Sequence, residues 1–227
     1  MNKRRERVIE IIRILRQEYP RSRTALRFET PLQILVATIL SAQCTDEKVN
    51  EVTPYLFTKY PKAQDFARAD QTVLEKEIRP TGFFRNKSRS IIRACQKIVD
   101  DFKGKVPDNM KELLTLPGVA RKTANIVLSS AYKKAEGIAV DTHVKRLSQR
   151  LGLSQEKNPD KIERDLLDVV PKKDWLDFNY MLVNHGRRVC QARRAQCPEC
   201  KLGHLCPSAT KFFPDLKTYP KTSSRGA

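Results

Sequence analysis

No stretch of this 227-residue chain alternates apolar and polar residues convincingly over the length of a strand, and glycine is scarce, with 8 residues. Together these absences argue against a sheet. A long apolar run is missing as well. The start, MNKRRERVIEIIRIL, is broken by Glu6, Glu10 and Arg13, so it reads as neither a signal peptide nor a membrane span. An intracellular protein of the cytoplasm or nucleoid is expected. There are no low-complexity repeats, and only the end, roughly 217–227, reads as a loose tail. Negative charge is in deficit: 26 Asp and Glu stand against 44 Lys and Arg, a net charge of +18. Such an excess calls for a polyanionic partner, and with nothing to anchor the chain to lipid, nucleic acid fits better than a membrane.

What is present is helical pattern, rich in Leu, Ile, Lys, Arg and Glu, and the expected fold class is all-α. Val8, Ile11, Ile12 and Leu15 give a first helix one apolar stripe, closed at Tyr19-Pro20. Pro31–Leu40 is apolar on most sides and should be buried. Thr45 or Asp46 can cap a helix running to Tyr55 or Phe57. Further helices are expected over Thr72–Ile78, Asn86–Phe102, Asn158–Val170 and Lys173–Val189. In Asn86–Phe102 the basic residues Arg85, Lys87, Arg89 and Arg93 read as part of a positive surface. Cys44 and Cys95 belong to no ligand cluster and read as structural. His143 and His185 read as packed or hydrogen-bonded.

The densest information lies in LLTLPGVARKTANIVLSSAYKKAEGIAVDTHVKRLSQRLGL, Leu113–Leu153. Leu113, Leu114 and Leu116 end one helix at Pro117-Gly118, and a new helical pattern, Arg121 to Tyr132, begins almost at once. In this helix, hairpin, helix pattern the amides near Gly118 to Arg121 lack internal partners and stand at the positive end of a dipole, a socket for phosphate. Gly118 admits a bulky anion to the backbone, and Arg121 adds an always-charged fork. Lys133 to Val140 is long enough to bring Asp141 back to the level of Lys122. Asp141 also reads as the N-cap of a helix ending at Leu151. A lysine attacks carbon only as the neutral amine, so such a site needs desolvation and a nearby cation to release the proton.

Four cysteines, Cys190, Cys197, Cys200 and Cys206, follow the spacing C-x6-C-x2-C-x5-C. In an intracellular chain that is a metal or cluster site rather than two disulfides, and four thiolates suit zinc or an iron–sulfur cluster equally. Arg193 and Arg194 lie on the loop between the first two ligands, where a pinned basic loop can meet phosphate.

The strings LPGVARKTAN (Leu116–Asn125), AVDTH (Ala139–His143) and LSAQCTD (Leu40–Asp46), together with the cysteine spacing, resemble the endonuclease III branch of the helix-hairpin-helix DNA glycosylases over roughly residues 3–212. The resemblance implies a six-helix barrel domain carrying the hairpin over 23–135. It implies an iron–sulfur cluster domain built from 1–22 and 136–227, with a basic tail from about 213, and DNA in a cleft flanked by the two. Lys122 is then the nucleophile and Asp141 its catalytic partner, and the four cysteines hold a [4Fe-4S] cluster. Gln43 enters the duplex beside a flipped nucleotide and Phe83 is an apolar wedge. Leu116, Gly118, Ala120 and Arg121 contact the backbone of the DNA, with Arg193 and Arg194.

The implied activity is that of a monomeric, bifunctional DNA glycosylase and AP lyase. It removes oxidised or damaged pyrimidines from double-stranded DNA, or acts at abasic sites, through a lysine Schiff base and β-elimination. One departure stands out: the family has Gly where this chain has Ala120, which would cost about 1–2 kcal/mol were that position left-handed. Two rivals remain at this level, a mismatch glycosylase without a nucleophilic lysine and a non-enzymatic DNA-docking module.

Overall fold

The computed structural model describes residues 3–20 and 22–214. Among these residues every regular element is a helix, apart from one isolated antiparallel bridge, Cys190 with Ala195. In chain order they are α1 (Lys3–Glu18), α2 (Pro31–Leu40), α3 (Asp46–Lys59), α4 (Ala63–Ala67), α5 (Gln71–Ile78), α6 (Phe84–Phe102), α7 (Met110–Leu113), α8 (Arg121–Ala131), α9 (Thr142–Arg150), α10 (Pro159–Val169), α11 (Trp175–Arg188) and α12 (Ala209–Phe212). The chain divides into two compact units, 24–136 and 1–23 with 137–227. The stretch expected to be a loose tail falls at 217–227, outside the described residues.

The 24–136 unit is built around α2. Thr30 caps it, its hydroxyl accepting from Gln33 N–H at 3.2 Å, and Pro31 occupies the first turn, where no amide bond is lost. Leu32, Ile34, Leu35, Val36, Ala37, Ile39 and Leu40 are all buried, so this helix is apolar on nearly every side. Ala124, Val127 and Leu128 of α8 cover one side, and Ile91, Ala94, Cys95 and Ile98 of α6 extend the same core. Each fully buried aliphatic side chain contributes about 1.5–3 kcal/mol. Burial pushes the Cys95 thiol up to about 12, leaving it an inert apolar group, as its isolation in the sequence implies.

The other unit draws its core from both ends of the chain. Val8, Ile11, Ile12, Ile14 and Leu15 of α1 meet Val144 and Leu147 of α9, Ile162 and Leu166 of α10, and Phe178, Met181 and Leu182 of α11. The basic residues of α1 take part in this assembly. Arg7 donates to Leu151 O at 2.6 Å and to Leu205 O at 3.0 Å, and Arg5 donates to Asp168 O at 3.0 Å. These carbonyls sit at or near helix C-termini, the negative ends of helix dipoles, so the cations there hold α1 in place. Part of the positive charge therefore serves the fold.

Candidate active site

The hairpin forms where Pro117-Gly118 interrupts two helical patterns. Leu116 O accepts from Val119 N–H at 3.1 Å, closing a tight turn before α8. Gly118 has φ +78, and a Cβ there would lie 2.7 Å from Ser90 Cβ, so only glycine satisfies both the backbone and the packing against α6. Ala120 has φ −96 and ψ 171, an ordinary extended N-cap, so the residue that departs from the family carries no left-handed strain. No side chain caps α8, which leaves the entrance of its first turn open to an outside acceptor. Lys122, the second residue of α8, is exposed, and Arg121 beside it is half-buried. The side chain of Leu116 is 2% exposed and packs in the core, where it anchors the hairpin.

Two other loops of this unit carry predicted site residues, and both are strained. Gln43 has φ +53 and Phe83 has φ +47, the left-handed region that side chains avoid at about 1–2 kcal/mol each. Gln43 is exposed in the loop between α2 and α3, whose Thr45 caps α3 by accepting from Lys48 N–H at 3.3 Å. Phe83 is 62% exposed, a large apolar ring facing solvent, while its neighbour Phe84 packs against the core. Lys87 corrects an expectation. It is 4% exposed instead of lying on a basic face with Arg85, Arg89 and Arg93, which are exposed as expected.

Asp141 belongs to the other unit. Its carboxylate accepts from Val144 N–H at 2.8 Å as the N-cap of α9, and the residue is half-buried. Next to it His143 meets Arg146 at 3.1 Å, and Arg146 donates to Gly186 O and Cys190 O at 3.0 and 3.1 Å.

Cys190, Cys197, Cys200 and Cys206 all line one cavity, together with Arg150, His185 and Phe212. No three His, Cys, Asp or Glu side chains among the described residues converge closely enough to hold a single metal ion. Four thiols lining one cavity are a donor set that suits a thiolate-bound metal or cluster. Burial raises the thiols of Cys197, Cys200 and Cys206, Cys200 to about 12, so a group bound there has to displace protons. His185 is buried between Tyr19 Oη at 3.1 Å and Cys200 Sγ at 3.5 Å. Burial lowers it to about 4, and it is a neutral packing residue, as expected. Arg193 and Arg194 are exposed on the loop, whose carbonyls at Gln191 and Ala192 accept from Arg150 at 2.8 Å each.

Comparison with known proteins supplies the family. Residues 36–172 match the HhH-GPD superfamily of base excision DNA repair proteins. Endonuclease III of Synechocystis is 56% identical over 209 residues, covering 92% of this chain and 95% of that protein. The chain belongs to the endonuclease III family. Endonuclease III of Bacillus subtilis is 41% identical, over 85% of this chain and 88% of its own length. A trapped endonuclease III–DNA covalent intermediate superposes with a TM-score of 0.87 at 38% identity, over 93% of this chain and 99% of the other. As a member, the chain is a base excision repair DNA glycosylase with AP lyase activity.

Two residues of consequence escaped the sequence reading. Arg150 donates to Cys190 Sγ at 3.3 Å and lies 4.4 Å from the ring of Phe212. It joins elements forty and sixty residues apart in the chain, roughly, and no local pattern announces such a contact. Lys87 did leave a signal. It interrupts the apolar stripe Phe84, Ile91, Ala94, Cys95 and Ile98 of α6, a register in which a lysine has to be buried or break the stripe.

Proposed function

We propose that Lys122 and Asp141 serve one extruded nucleoside in duplex DNA, and that the target base is an oxidised or otherwise damaged pyrimidine. The observation that carries this reading is the exposed Lys122 on the first turn of a helix with no side-chain cap, directly behind a hairpin turn whose Gly118 is itself exposed at φ +78. That arrangement can grip the sugar-phosphate chain on one side of the nucleotide while the amine meets its sugar. The positive charge of the chain favours duplex DNA as partner, engaged by a monomer.

The chemistry proceeds in balanced steps. The neutral amine of Lys122 attacks the anomeric carbon, the bond from that carbon to the base breaks, and the base leaves with a proton. Asp141 assists that departure and moves protons as the sugar ring opens to a Schiff base. Loss of a proton from the next sugar carbon then expels the 3′ phosphate by β-elimination, and water releases the lysine. Gln43 and Phe83 enter the duplex, the amide replacing the pairing of the orphaned base and the ring filling the gap. Gly118, Ala120 and Arg121, with Arg193 and Arg194 from the other unit, hold phosphates.

In this reading 24–136 is the barrel domain with the hairpin, and 1–23 with 137–227 is the cluster domain. Cys190, Cys197, Cys200 and Cys206 hold a [4Fe-4S] cluster. Bound through these four thiolates, the cluster would tie the 190–206 loop together, while the steps above are carried by Lys122 and Asp141.

The test is reduction by borohydride with duplex DNA bearing an abasic site, alongside a panel of duplexes each with one lesion. A covalent adduct and release of pyrimidine lesions are expected. An intact strand and no adduct would overturn the proposal.

A further inference from the structure

Lys87 is a buried cation that the reaction described above does not use. Its ammonium donates to Leu40 O at 2.7 Å and to Thr81 O at 2.7 Å. Leu40 is the last residue of α2, so the first bond satisfies a carbonyl left over at a helix C-terminus, where the dipole favours a positive charge. Thr81 ends the 3-10 turn Arg79–Thr81, itself buried, and stands two residues before Phe83. The backbone N–H of Lys87 adds a third tie, donating to Phe83 O at 3.2 Å. One residue therefore joins the stem of the Gln43 loop to the stem of the Phe83 turn.

The company it keeps is informative. Gln43 and Phe83 are two of the four non-glycine residues with positive φ among the described residues. Such backbone persists only where its surroundings over-determine it. A buried ammonium shared by two carbonyls is a costly brace, since desolvation works against its charge. An apolar side chain in the stripe of α6 would fill the space without that cost.

We propose that Lys87 is a positioning residue that fixes the Gln43 loop and the Phe83 turn in one register, so that the two act as a single two-pronged wedge on the duplex. This rests on the reading of Gln43 and Phe83 as DNA contacts. The extrusion of a paired nucleotide needs both prongs at once, whereas a nucleotide already unpaired needs neither.

The experiment is a mutant cycle in the full chain with Lys87→Met, Gln43→Ala with Phe83→Ala, and all three together. Excision is measured on one oxidised pyrimidine in a fully paired duplex and in an unpaired bubble. Lys87→Met is expected to lower kcat/KM about 10- to 100-fold on the paired duplex, a typical effect of misplacing a group by about an ångström, and less than about threefold on the bubble. Added to Gln43→Ala with Phe83→Ala it should cost less than about threefold more, because the prongs it aligns are gone. Equal losses on both substrates, or full additivity, would make Lys87 a general packing residue and overturn the proposal. If Gln43→Ala with Phe83→Ala keeps the wild-type rate on the paired duplex, the wedge reading itself fails and this proposal with it. Melting curves accompany each variant. Should Lys87→Met not fold, Lys87→Gln, which keeps two amide donors but shortens the reach, enters the same cycle with the same expectations.

Discussion

The 24–136 unit and the unit formed by the two chain ends hold their functional residues by different means. In 24–136 the residues sit on turns of a self-sufficient apolar core, and their positions are written into backbone geometry: Gly118 at φ +78, Gln43 at +53, Phe83 at +47. In the other unit the functional loop, Cys190–Cys206, has little regular structure; it is held by arginine side chains that donate to its carbonyls and, in the proposed reading, by the cluster that its cysteines would bind. A core-backed turn can store strain and aim one side chain. A loop held by side chains and a bound group depends on that group, so its failure should be cooperative and its repair not local.

The comparison can be broken most severely at the reacting residues. Lys122→Ala should remove the borohydride adduct and strand cleavage altogether while leaving the melting temperature within about a degree, as an exposed substitution does. Asp141→Asn should keep the cap of α9, since the amide oxygen can still accept from Val144 N–H, and yet slow excision on the order of a hundredfold. Equal loss of stability and activity in that variant would reduce Asp141 to a cap.

Next in size is Cys197→Ser. Absorbance near about 400 nm, typical of iron–sulfur charge transfer, should vanish, and limited proteolysis should cut 190–206 while 24–136 stays resistant. Smaller still is Gln43→Gly, which should raise stability by up to about 1 kcal/mol by relieving the left-handed backbone while lowering excision. Lys103→Gly, at φ +53 on the C-cap of α6, should stabilise by a similar amount with no change in excision. The smallest expected change is in the salt dependence of DNA binding, where Arg193→Ala and Arg194→Ala should each reduce the slope of log affinity against log salt by about 1.

Much of the fold was legible because long helices declare their period. The stripe of α1, the apolar run of α2 and the caps Thr45 and Asp141 all lie where the sequence puts them. Ala63–Ala67 and Met110–Leu113 are too short to show a period, and the start of α6 moved to Phe84 because its N-cap, Phe83, offers no capping side chain. In the candidate site the hairpin was legible from Pro117-Gly118 and the cysteine loop from its spacing. Lys87 was misread because a lysine among arginines looks like solvated charge, and its partners lie in two separate turns. The apolar character of Leu116 was legible as a helix end, and its side chain anchors the hairpin in the core.

The most direct test of the account is peptide mapping of the borohydride-trapped complex with abasic duplex DNA. The deoxyribose remnant should be found on Lys122 and on no other lysine, and Lys122→Ala should yield no adduct. A remnant on another lysine, with Lys122→Ala trapped as efficiently as wild type, would contradict it.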